Sequence, residues 1–289
     1  MADHAHVGRH LRGARPLPDK NGVTLSVVIP ARNEAGNIGK TLDELTDRLT
    51  REGLDYEVIV VDDGSSDQTV EEVRARRVRD PAIRLVTNDG PNGYGHAVRR
   101  GLDVFRGAAV AIVMADGSDD PEDLIHYYEI LRDRAECAFG SRFIPGSRVQ
   151  GYPRLKLILN RAGNLFIRVL FGLPYNDVTN AFKAYRANVI RGCRPFLSPH
   201  YNLTVELPLK AIVRGYSYEV VPIAWRQRAA GESGFHLREI GSRYLFIVLY
   251  LWLEKILTRG DYRRPAGEGF VRWPDHTTVS EQRRSDGRR

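Results

Sequence analysis

Short apolar runs alternate with amphipathic segments through the first half of the chain. Four of these runs are rich in β-branched residues and have the length of strands buried on both faces: 24–29, 56–61, 83–88 and 108–114. Between them, apolar residues recur every three to four positions. This predicts helices over about 35–51, from 66–69 to before Pro81, and over 95–105. Four β-then-α units predict an α/β fold, with a mostly parallel sheet flanked by helices on both faces.

The second half is less regular and ends in a long apolar helix. The pattern predicts helices at 122–134, 154–171 and 199–214, and strands at 137–143 and 218–223. Pro222 suits a sheet edge, because proline cannot donate to a ladder. The last helix, 237–258, has a longest apolar run, Tyr244–Leu253, of about half the ~20 residues that a membrane span needs. We therefore predict that it does not cross a bilayer.

Two roles remain open for the helix at 237–258. As an interfacial helix it would hold the protein near a lipid, with Tyr244 and Trp252 at the headgroup level. The alternative is a helix that packs in the core or in a dimer contact. The amphipathic helix at 154–171 is a second candidate for the membrane interface.

Unusual polar residues follow strands one, two and four, where parallel sheets bind their ligands. Strand one ends at Pro30, which stops the ladder, and Arg32 and Glu34 follow. Taken alone, this segment is a capped turn before a helix. Strand two ends in Asp62 and Asp63, two adjacent carboxylates that need donors or a cation nearby. A ribose diol or a base edge suits them, and residues 65–69 beyond them suit a helix N-cap.

Strand four ends in a cluster of carboxylates. Asp116, Asp119 and Asp120 fall within five residues, and Gly117 lets the backbone bend between them. Such a cluster suits a hard divalent cation that bridges two phosphates. The alternative is a helix N-terminus, capped by Asp119 or Asp120. Asp116 comes too early for the cap, so we assign it to the cation.

These three loops together resemble the family 2 inverting glycosyltransferases, whose GT-A fold is a Rossmann-like α/β domain. The resemblance rests on VVIPARNE, EVIVVDDGSSDQT and MADGSDDPED. Further segments look like the polyprenyl or dolichol phosphate mannosyltransferase branch, in the same order and with similar spacing: GYGHAVRRG, GSRF, DVTNAFKAYR, Glu206 with Lys210, and PIAWRQRAAGES. The match runs from about residue 24 to residue 256.

The resemblance implies the transfer of a sugar, most simply mannose from GDP-mannose, to polyprenyl or dolichyl phosphate, with inversion and with Mg²⁺ or Mn²⁺ as cofactor. The implied donor contacts are Pro30, Arg32, Glu34 and Asp62, and the residues themselves add Asp63. The implied metal ligands, on the donor diphosphate, are Asp116 and Asp119. The implied phosphate ligands are Arg142, Lys156 and Arg228. The catalytic set is then Asp116, Asp119, Arg142 and Arg228.

The nature of the acceptor decides the mechanism. A phosphate monoester is ionised at neutral pH and needs no general base, so catalysis consists of alignment and charge neutralisation. A sugar-hydroxyl acceptor would instead require a carboxylate base, with Asp119, Asp120 or Asp177 as candidates. UDP-glucose or another nucleotide sugar is an alternative donor. A non-catalytic nucleotide-sugar-binding membrane scaffold is the alternative outside enzymes.

Three segments depart from the family pattern. The usual D-x-D at the end of strand four is absent, because Ala115 and Gly117 stand where its carboxylates normally lie. Ala181 and Lys183 stand where a glycine and an arginine are common, which keeps the charge but loses a bidentate fork. Gly234 replaces an expected lysine. The assignment of metal ligands therefore shifts by a position, and the scaffold alternative gains weight.

Charge and composition set the domain limits and the location. The net charge of +7 suits an anionic membrane or a phosphate-bearing substrate, whereas nucleic acid is excluded because the basic residues concentrate in tails without RNA-type aromatic motifs. Residues 1–22 and 259–289 have the composition of disordered tails, which leaves a GT-A domain at 23–236 and the amphipathic helix at 237–258. Two cysteines and the lack of a signal peptide predict a cytoplasmic protein, peripherally associated with the cytoplasmic face of a membrane. A separate membrane-anchoring protein is a candidate partner.

Overall fold

The computed structural model describes residues 23–226, 237–264 and 269–273, with the backbone alone for 237–240. The predicted tail at 1–22 lies outside these ranges. In chain order the elements are β1 (Leu25–Ala31), α1 (Ile38–Arg51), β2 (Tyr56–Asp62), α2 (Thr69–Arg79), β3 (Ile83–Thr87), α3 (Tyr94–Val104), β4 (Ala109–Ile112), α4 (Pro121–Asp133), β5 (Cys137–Ser141), β6 (Arg148–Gln150), α5 (Arg154–Phe171), β7 (Lys183–Arg186), α6 (Ala187–Gly192), α7 (Leu203–Val213), β8 (Tyr218–Pro222), β9 (Ala224–Arg226) and α8 (Leu237–Leu257).

Seven strands form one mixed sheet in the order β3-β2-β1-β4-β7-β5-β8. β1, β2, β3 and β4 run parallel to one another, and β8 runs parallel to β5. β7 is antiparallel to both of its neighbours, β4 and β5. The predicted α/β fold with a mostly parallel sheet is thus confirmed, and β8, which carries Pro222, lies at a sheet edge as predicted.

Three strands were not predicted from the sequence. β7 reads Lys-Ala-Tyr-Arg and is buried throughout, so neither an apolar run nor an alternation marks it. β6 and β9 have three residues each and pair only with each other, in a two-stranded parallel ribbon beside the main sheet. This ribbon continues against the loop after β4, through an isolated bridge between Asp119 and Trp225.

The sheet carries one apolar cluster on each face. In β1, Val27 and Ile29 belong to the cluster that also contains the apolar face of α1 and α4. Val28, between them, belongs to the opposite cluster with residues of α3 and α7. All seven residues of β1 are buried, as expected for a parallel strand covered on both faces.

Helices α5 and α8 each contribute only a narrow face to the second cluster. Among the side chains of α8 that the structure describes, the buried apolar ones are Ile247, Val248 and Leu251. Arg214, just past α7, forms a buried ion pair with Glu254 of α8, with Nε 2.9 Å from Oε1. Among the described residues, no helix combines the length and the hydropathy needed to cross a bilayer.

Two aromatic residues of α8 do not lie where the interfacial prediction placed them. Tyr244 donates its hydroxyl to the carbonyl of Tyr201 at 3.0 Å. Trp252 packs against the second cluster. Both therefore face the domain, because the side of α8 that bears them also supplies its core contacts, and other residues of α8 form its exposed apolar side.

Part of the predicted C-terminal tail packs on the domain. Arg264 donates to Glu136, with Nη1 2.6 Å from Oε2. The guanidinium carbon of Arg186 lies 4.5 Å from the ring centroid of Trp273. Trp273 also packs against the first cluster. The prediction of a disordered tail over 259–289 is therefore wrong for these residues. The cause is that three aromatic residues, Tyr262, Phe270 and Trp273, are too few and too widely spaced to produce an apolar periodicity in the sequence.

Candidate active site

The loops 32–37, 63–68 and 113–120 follow β1, β2 and β4 at one edge of the sheet, here called the site edge. Val28 accepts a hydrogen bond from Val113, so Pro30, two residues on, faces the same side beyond the end of β4. The missing N–H of Pro30 costs no ladder bond there. Pairing with β2 continues to Ala31. The prediction that Pro30 stops the ladder is thus correct for β4 and wrong for β2.

The loop after β1 is held against the loop after β2 by hydrogen bonds. Asn33, in the left-handed region at φ 54°, accepts the backbone N–H of Ser66 at 2.8 Å through Oδ1. The backbone N–H of Glu34 donates to the hydroxyl of Thr69 at 2.8 Å. Arg32 is exposed at the tip of this loop. Two of the predicted donor contacts therefore lie on a fixed loop that borders the end of β2.

Asp62 and Asp63 are both buried. Hydrogen-bond donors of the protein offset the repulsion that was predicted between their two carboxylates. Asp62 accepts the backbone N–H of Ser65 at 3.1 Å through Oδ1. Asp63 has both oxygens engaged, by the Asn88 amide at 2.6 Å and by the backbone N–H of Gly93 at 2.8 Å. Asp63 thereby ties the start of α3 to the end of β2, so its carboxylate is already used for positioning.

Carboxylates accept the first backbone N–H groups of α2 and α4 at the site edge, although the N-cap residue of α2, Gln68, makes no side-chain bond of its own. Asp67 accepts the backbone N–H of Thr69 at 3.1 Å, at the start of α2. Asp120 is the N-cap of α4 and accepts the backbone N–H of Glu122 at 3.0 Å. Asp120 is thus used by the helix, which leaves Asp116 and Asp119 as the other carboxylates of the loop.

The carboxylates of Asp116 and Asp119 are fixed within the loop after β4. Asp119 accepts the backbone N–H of Met114 at 2.9 Å, and Asp116 accepts that of Ser118 at 3.1 Å. Burial raises the pKa of Asp119 to about 7; the bond from Met114 lowers it and the charge of Asp116 raises it. A carboxylate with such a pKa is held where its negative charge costs free energy.

The two carboxylates have the chemistry that a divalent cation requires. The described residues contain no group of three or more His, Cys, Asp or Glu that could hold a metal. Mg²⁺, however, is commonly bound by one or two carboxylates together with substrate phosphates and water. A cation between a diphosphate and Asp116 and Asp119 would also offset the cost of burying charge on Asp119. The donor set therefore fits Mg²⁺ or Mn²⁺.

Arg142 follows β5 at the same edge of the sheet and forms a buried pair with Asp177. Its Nε and Nη2 donate to the two oxygens of Asp177 at 2.8 and 2.7 Å, and its backbone N–H donates to the same carboxylate at 2.9 Å. The side chains of Arg142 and Asp177 are 8% and 0% exposed. Asp177 raises the pKa of Arg142 against the opposing effect of burial. Asp177 is therefore a fixed counter-ion and does not suit the role of a general base.

Lys183 holds the loop that carries Asp177. It is fully buried, and its ammonium donates to the carbonyls of Val178, Asn180 and Thr204. Burial lowers its pKa to about 7. Three carbonyls match the three donors of an ammonium, so Lys183 fixes the backbone from 177 to 180 and does not reach a substrate.

The remaining predicted phosphate ligands are placed differently. Lys156 lies on the first turn of α5 and is partly buried. Arg228 lies outside the described residues, just beyond β9. The structure also adds an aromatic pair that was not predicted: the rings of Tyr94 and Tyr201 stack with centroids 4.3 Å apart. The glycines on either side of Tyr94 drew attention to its segment, but no spacing signal links it to Tyr201.

Comparison with known proteins identifies close relatives in sequence. Residues 26–193 match the model of glycosyl transferase family 2. The chain is 33% identical over 213 residues to undecaprenyl-phosphate mannosyltransferase of Micrococcus luteus, covering 71% of this chain and 85% of that protein. It is 32% identical over 222 residues to polyprenol monophosphomannose synthase of Mycolicibacterium smegmatis, covering 74% and 82%.

Solved structures share the fold at lower sequence identity. Glucosyl-3-phosphoglycerate synthase from Mycobacterium tuberculosis in complex with phosphoglyceric acid is 21% identical and has a TM-score of 0.61, with 88% of each chain covered. The same enzyme in complex with Mn²⁺, uridine diphosphate and phosphoglyceric acid has a TM-score of 0.60, with 87% and 83% covered. The predicted GT-A fold is confirmed. Because the family match also spans more than half of the sequence, this chain belongs to glycosyl transferase family 2.

Proposed function

We propose that this glycosyltransferase moves mannose from GDP-mannose to a polyprenyl phosphate at the surface of a membrane, with inversion and with Mg²⁺ or Mn²⁺. The observation that carries the proposal is the presence, at one edge of the sheet, of an acidic loop and a buried arginine clamped by Asp177. The activities of the relatives, an undecaprenyl-phosphate mannosyltransferase and a polyprenol monophosphomannose synthase, support the choice of sugar and acceptor.

The donor is proposed to lie across the carboxyl ends of β1, β2 and β4. Pro30, Arg32 and Glu34 border the nucleoside, and Asp62, with one oxygen engaged by Ser65, accepts from the ribose or the base. Asp63 supports this surface from below, since its oxygens already bind Asn88 and Gly93. The support for this placement is the rule that parallel sheets bind ligands at this edge.

The proposed metal ligands are Asp116 and Asp119, which would hold the cation on the donor diphosphate. When bound, the cation would neutralise charge on the departing nucleoside diphosphate. The carboxylates orient the diphosphate, because their own positions are fixed by Ser118 and Met114. A structural neighbour binds Mn²⁺ together with uridine diphosphate, which supports a divalent ion as the cofactor.

The acceptor phosphate is proposed to lie at Arg142, with Lys156 and Arg228 supplying further positive charge. An ionised phosphate attacks the sugar without a general base, so the protein must align it and balance its charge. Arg142 suits this task because two bonds to Asp177 fix the plane of its guanidinium. The engagement of both Asp177 oxygens argues against a sugar-hydroxyl acceptor that would use this carboxylate as base.

The exposed apolar residues of α5 and α8 are proposed to bind the membrane, and we call them the apolar surface. The largest exposed fractions are those of Val169, Leu155 and Ile158 on α5, at 76, 70 and 65%, and of Leu257 and Phe246 on α8, at 68 and 62%. The two helices are adjacent, since Lys255 of α8 donates to the carbonyl of Phe171 at the end of α5 at 2.6 Å. Arg161, Lys255 and Arg259 are exposed on or just beyond these helices and favour an anionic leaflet, as in interfacial helices. The proposed location is thus peripheral, on the cytoplasmic face.

The test is transfer to a lipid-extractable product. The full chain is incubated with anionic vesicles that contain undecaprenyl phosphate, with Mg²⁺ or Mn²⁺, and with labelled GDP-mannose, UDP-glucose and UDP-galactose in parallel. The proposal expects label in the lipid fraction from GDP-mannose only, and its loss when Asp116→Asn replaces the wild type. Label from UDP-glucose alone would overturn the choice of donor and favour the second candidate, which the UDP-glucose complex of a structural neighbour supports. Metal-independent binding of GDP-mannose without transfer would favour a scaffold instead of an enzyme.

A further inference from the structure

Three aromatic side chains beside Arg142 form a row that belongs to neither apolar cluster of the fold. The rings of Trp225 and Tyr152 lie 5.0 Å apart, and those of Tyr152 and Phe143 lie 6.3 Å apart. All three side chains are partly exposed. Neither cluster contains them or has them packed against it. A partly exposed aromatic row that is not needed by the core is a feature that the fold alone does not explain.

The row touches Arg142 along one side. The guanidinium carbon of Arg142 lies 5.4 Å from the ring centroid of Phe143 and 5.3 Å from that of Tyr152. Nη1 of Arg142 also lies 3.4 Å from the hydroxyl of Tyr152. When a phosphate monoester binds Arg142, two aromatic rings therefore lie within reach of its alcohol portion.

The two ends of the row connect the site edge to α5. At the inner end, Trp225 pairs with Asp119 of the acidic loop through a backbone bridge. At the outer end, Arg161 of α5 lies over the ring of Phe143, 4.8 Å from its centroid. The row therefore leads from the residues proposed to hold the donor to the helix whose exposed residues are largely apolar.

We propose that Phe143, Tyr152 and Trp225 bind the isoprene units next to the phosphate of the acceptor, so that the enzyme recognises the branched chain as well as the charge. This inference rests on the proposed function. Methyl-branched chains pack on aromatic faces without directional polar contacts, and rings with few polar partners lose little when they are covered. Continuity with the apolar surface favours an isoprenoid chain over a sugar, because a sugar at this position would place its hydroxyls on the path to the membrane.

The experiment separates recognition of the chain from placement of Arg142. Two water-soluble acceptors, geranyl phosphate and butyl phosphate, carry the same phosphate, but only the first has isoprene units. Tyr152→Leu and Trp225→Leu are compared with wild type, and Tyr152→Phe serves as the matched control that keeps the ring. We expect each leucine variant to lower kcat/KM for geranyl phosphate roughly tenfold more than that for butyl phosphate, on the scale by which apolar pockets discriminate small groups.

Three outcomes would overturn the inference. An equal loss with both acceptors means that the rings only position Arg142. Unchanged values with both mean that the rings do not meet the chain. A raised KM for the nucleotide sugar means that the rings bind the donor instead.

Calorimetric titration of geranyl phosphate and butyl phosphate without donor keeps this test independent of transfer. We expect geranyl phosphate to bind wild type more tightly than butyl phosphate does, and expect that preference to shrink in Trp225→Leu. If no phosphate acceptor is glycosylated but this preference is present, the proposed function fails and the chain site stands. If transfer occurs and the wild type shows no preference for geranyl phosphate, the chain site fails alone.

Discussion

Replacing Asp177 with asparagine tests whether the Arg142 pair is a structural clamp. The substitution keeps the volume of the side chain but removes the charge that faces a guanidinium only 8% exposed. It also replaces one of the two accepting oxygens with an NH₂ group. That group would face the N–H groups of Arg142, which bond to Asp177 at 2.7 and 2.8 Å in the wild type. Breaking a buried pair by removing one partner costs about 3–5 kcal/mol. We expect Asp177→Asn to lower the free energy of unfolding by this amount.

The assay is urea unfolding followed by tryptophan fluorescence, combined with a double-mutant cycle. Arg142→Met with Asp177→Asn leaves no unpaired charge, so the double variant should be less destabilised than the sum of the single variants by about 2 kcal/mol or more. The control is Asp47→Asn, which disrupts a pair with Arg51 whose side chains are 75% and 68% exposed and should cost less than about 1 kcal/mol. Additive effects, or a cost for Asp177→Asn no larger than that of the control, would refute the clamp. The double variant should also stay inactive, because it lacks the guanidinium that is proposed to bind the acceptor phosphate, even if part of its stability is recovered.

Three further predictions concern the metal loop, the apolar surface and the C-terminal segment. Asp116→Asn should lower Mn²⁺-dependent transfer by at least roughly 100-fold without changing the thermal midpoint, and chelation should abolish transfer by the wild type; full activity in excess chelator would exclude the metal role. Val169→Glu, at a side chain 76% exposed, should weaken binding to anionic vesicles at least roughly tenfold in a flotation assay while the thermal midpoint stays the same, and unchanged flotation would rule α5 out as a membrane contact. Trp273→Ala should lower the free energy of unfolding by about 1–2 kcal/mol, because the ring covers Arg186 at 4.5 Å, whereas Val78→Ala, at a side chain 86% exposed, should have no effect; equal effects of the two would remove the role of the C-terminal segment.

The parallel part of the sheet could be predicted from the sequence because each of its strands is locally distinctive. β1 and β2 are continuous apolar runs, and the loops that follow them are acidic or polar. Such signals come from neighbours along the chain and need no knowledge of distant contacts. Among the strands of the mixed part, β7 lacks such a signal, since its Lys and Arg are buried with partners that distant elements, α4, α7 and the C-terminal segment, help to supply.

The candidate site divides in the same way. Asp116 and Asp119 could be singled out because carboxylates cluster within one loop. The pair between Arg142 and Asp177, and the positioning role of Asp63, depend on residues 25 to 35 positions apart in the chain. Resemblance to a family brought attention to GSRF and DVTN, but only the fold shows that one segment is the counter-ion of the other. For the same reason the aromatic row had no signal in the sequence.

The antiparallel strand β7 also bears on the order in which the protein folds. β1 pairs with β2, and β2 with β3, at separations of 31 and 25 residues in the chain. β4 joins β1, and β7 joins β4, only across separations of 84 and at least 71 residues. Closing so long a loop is slow and must precede any gain from the contacts it brings. β1, β2 and β3 are therefore expected to pair first, and the acidic loop after β4 and the Arg142 pair only after β4 and β7 have joined the sheet. Glycosyl transfer is then a late property of the folding chain, because the acidic loop and the Arg142 pair both depend on strands that are joined across long loops.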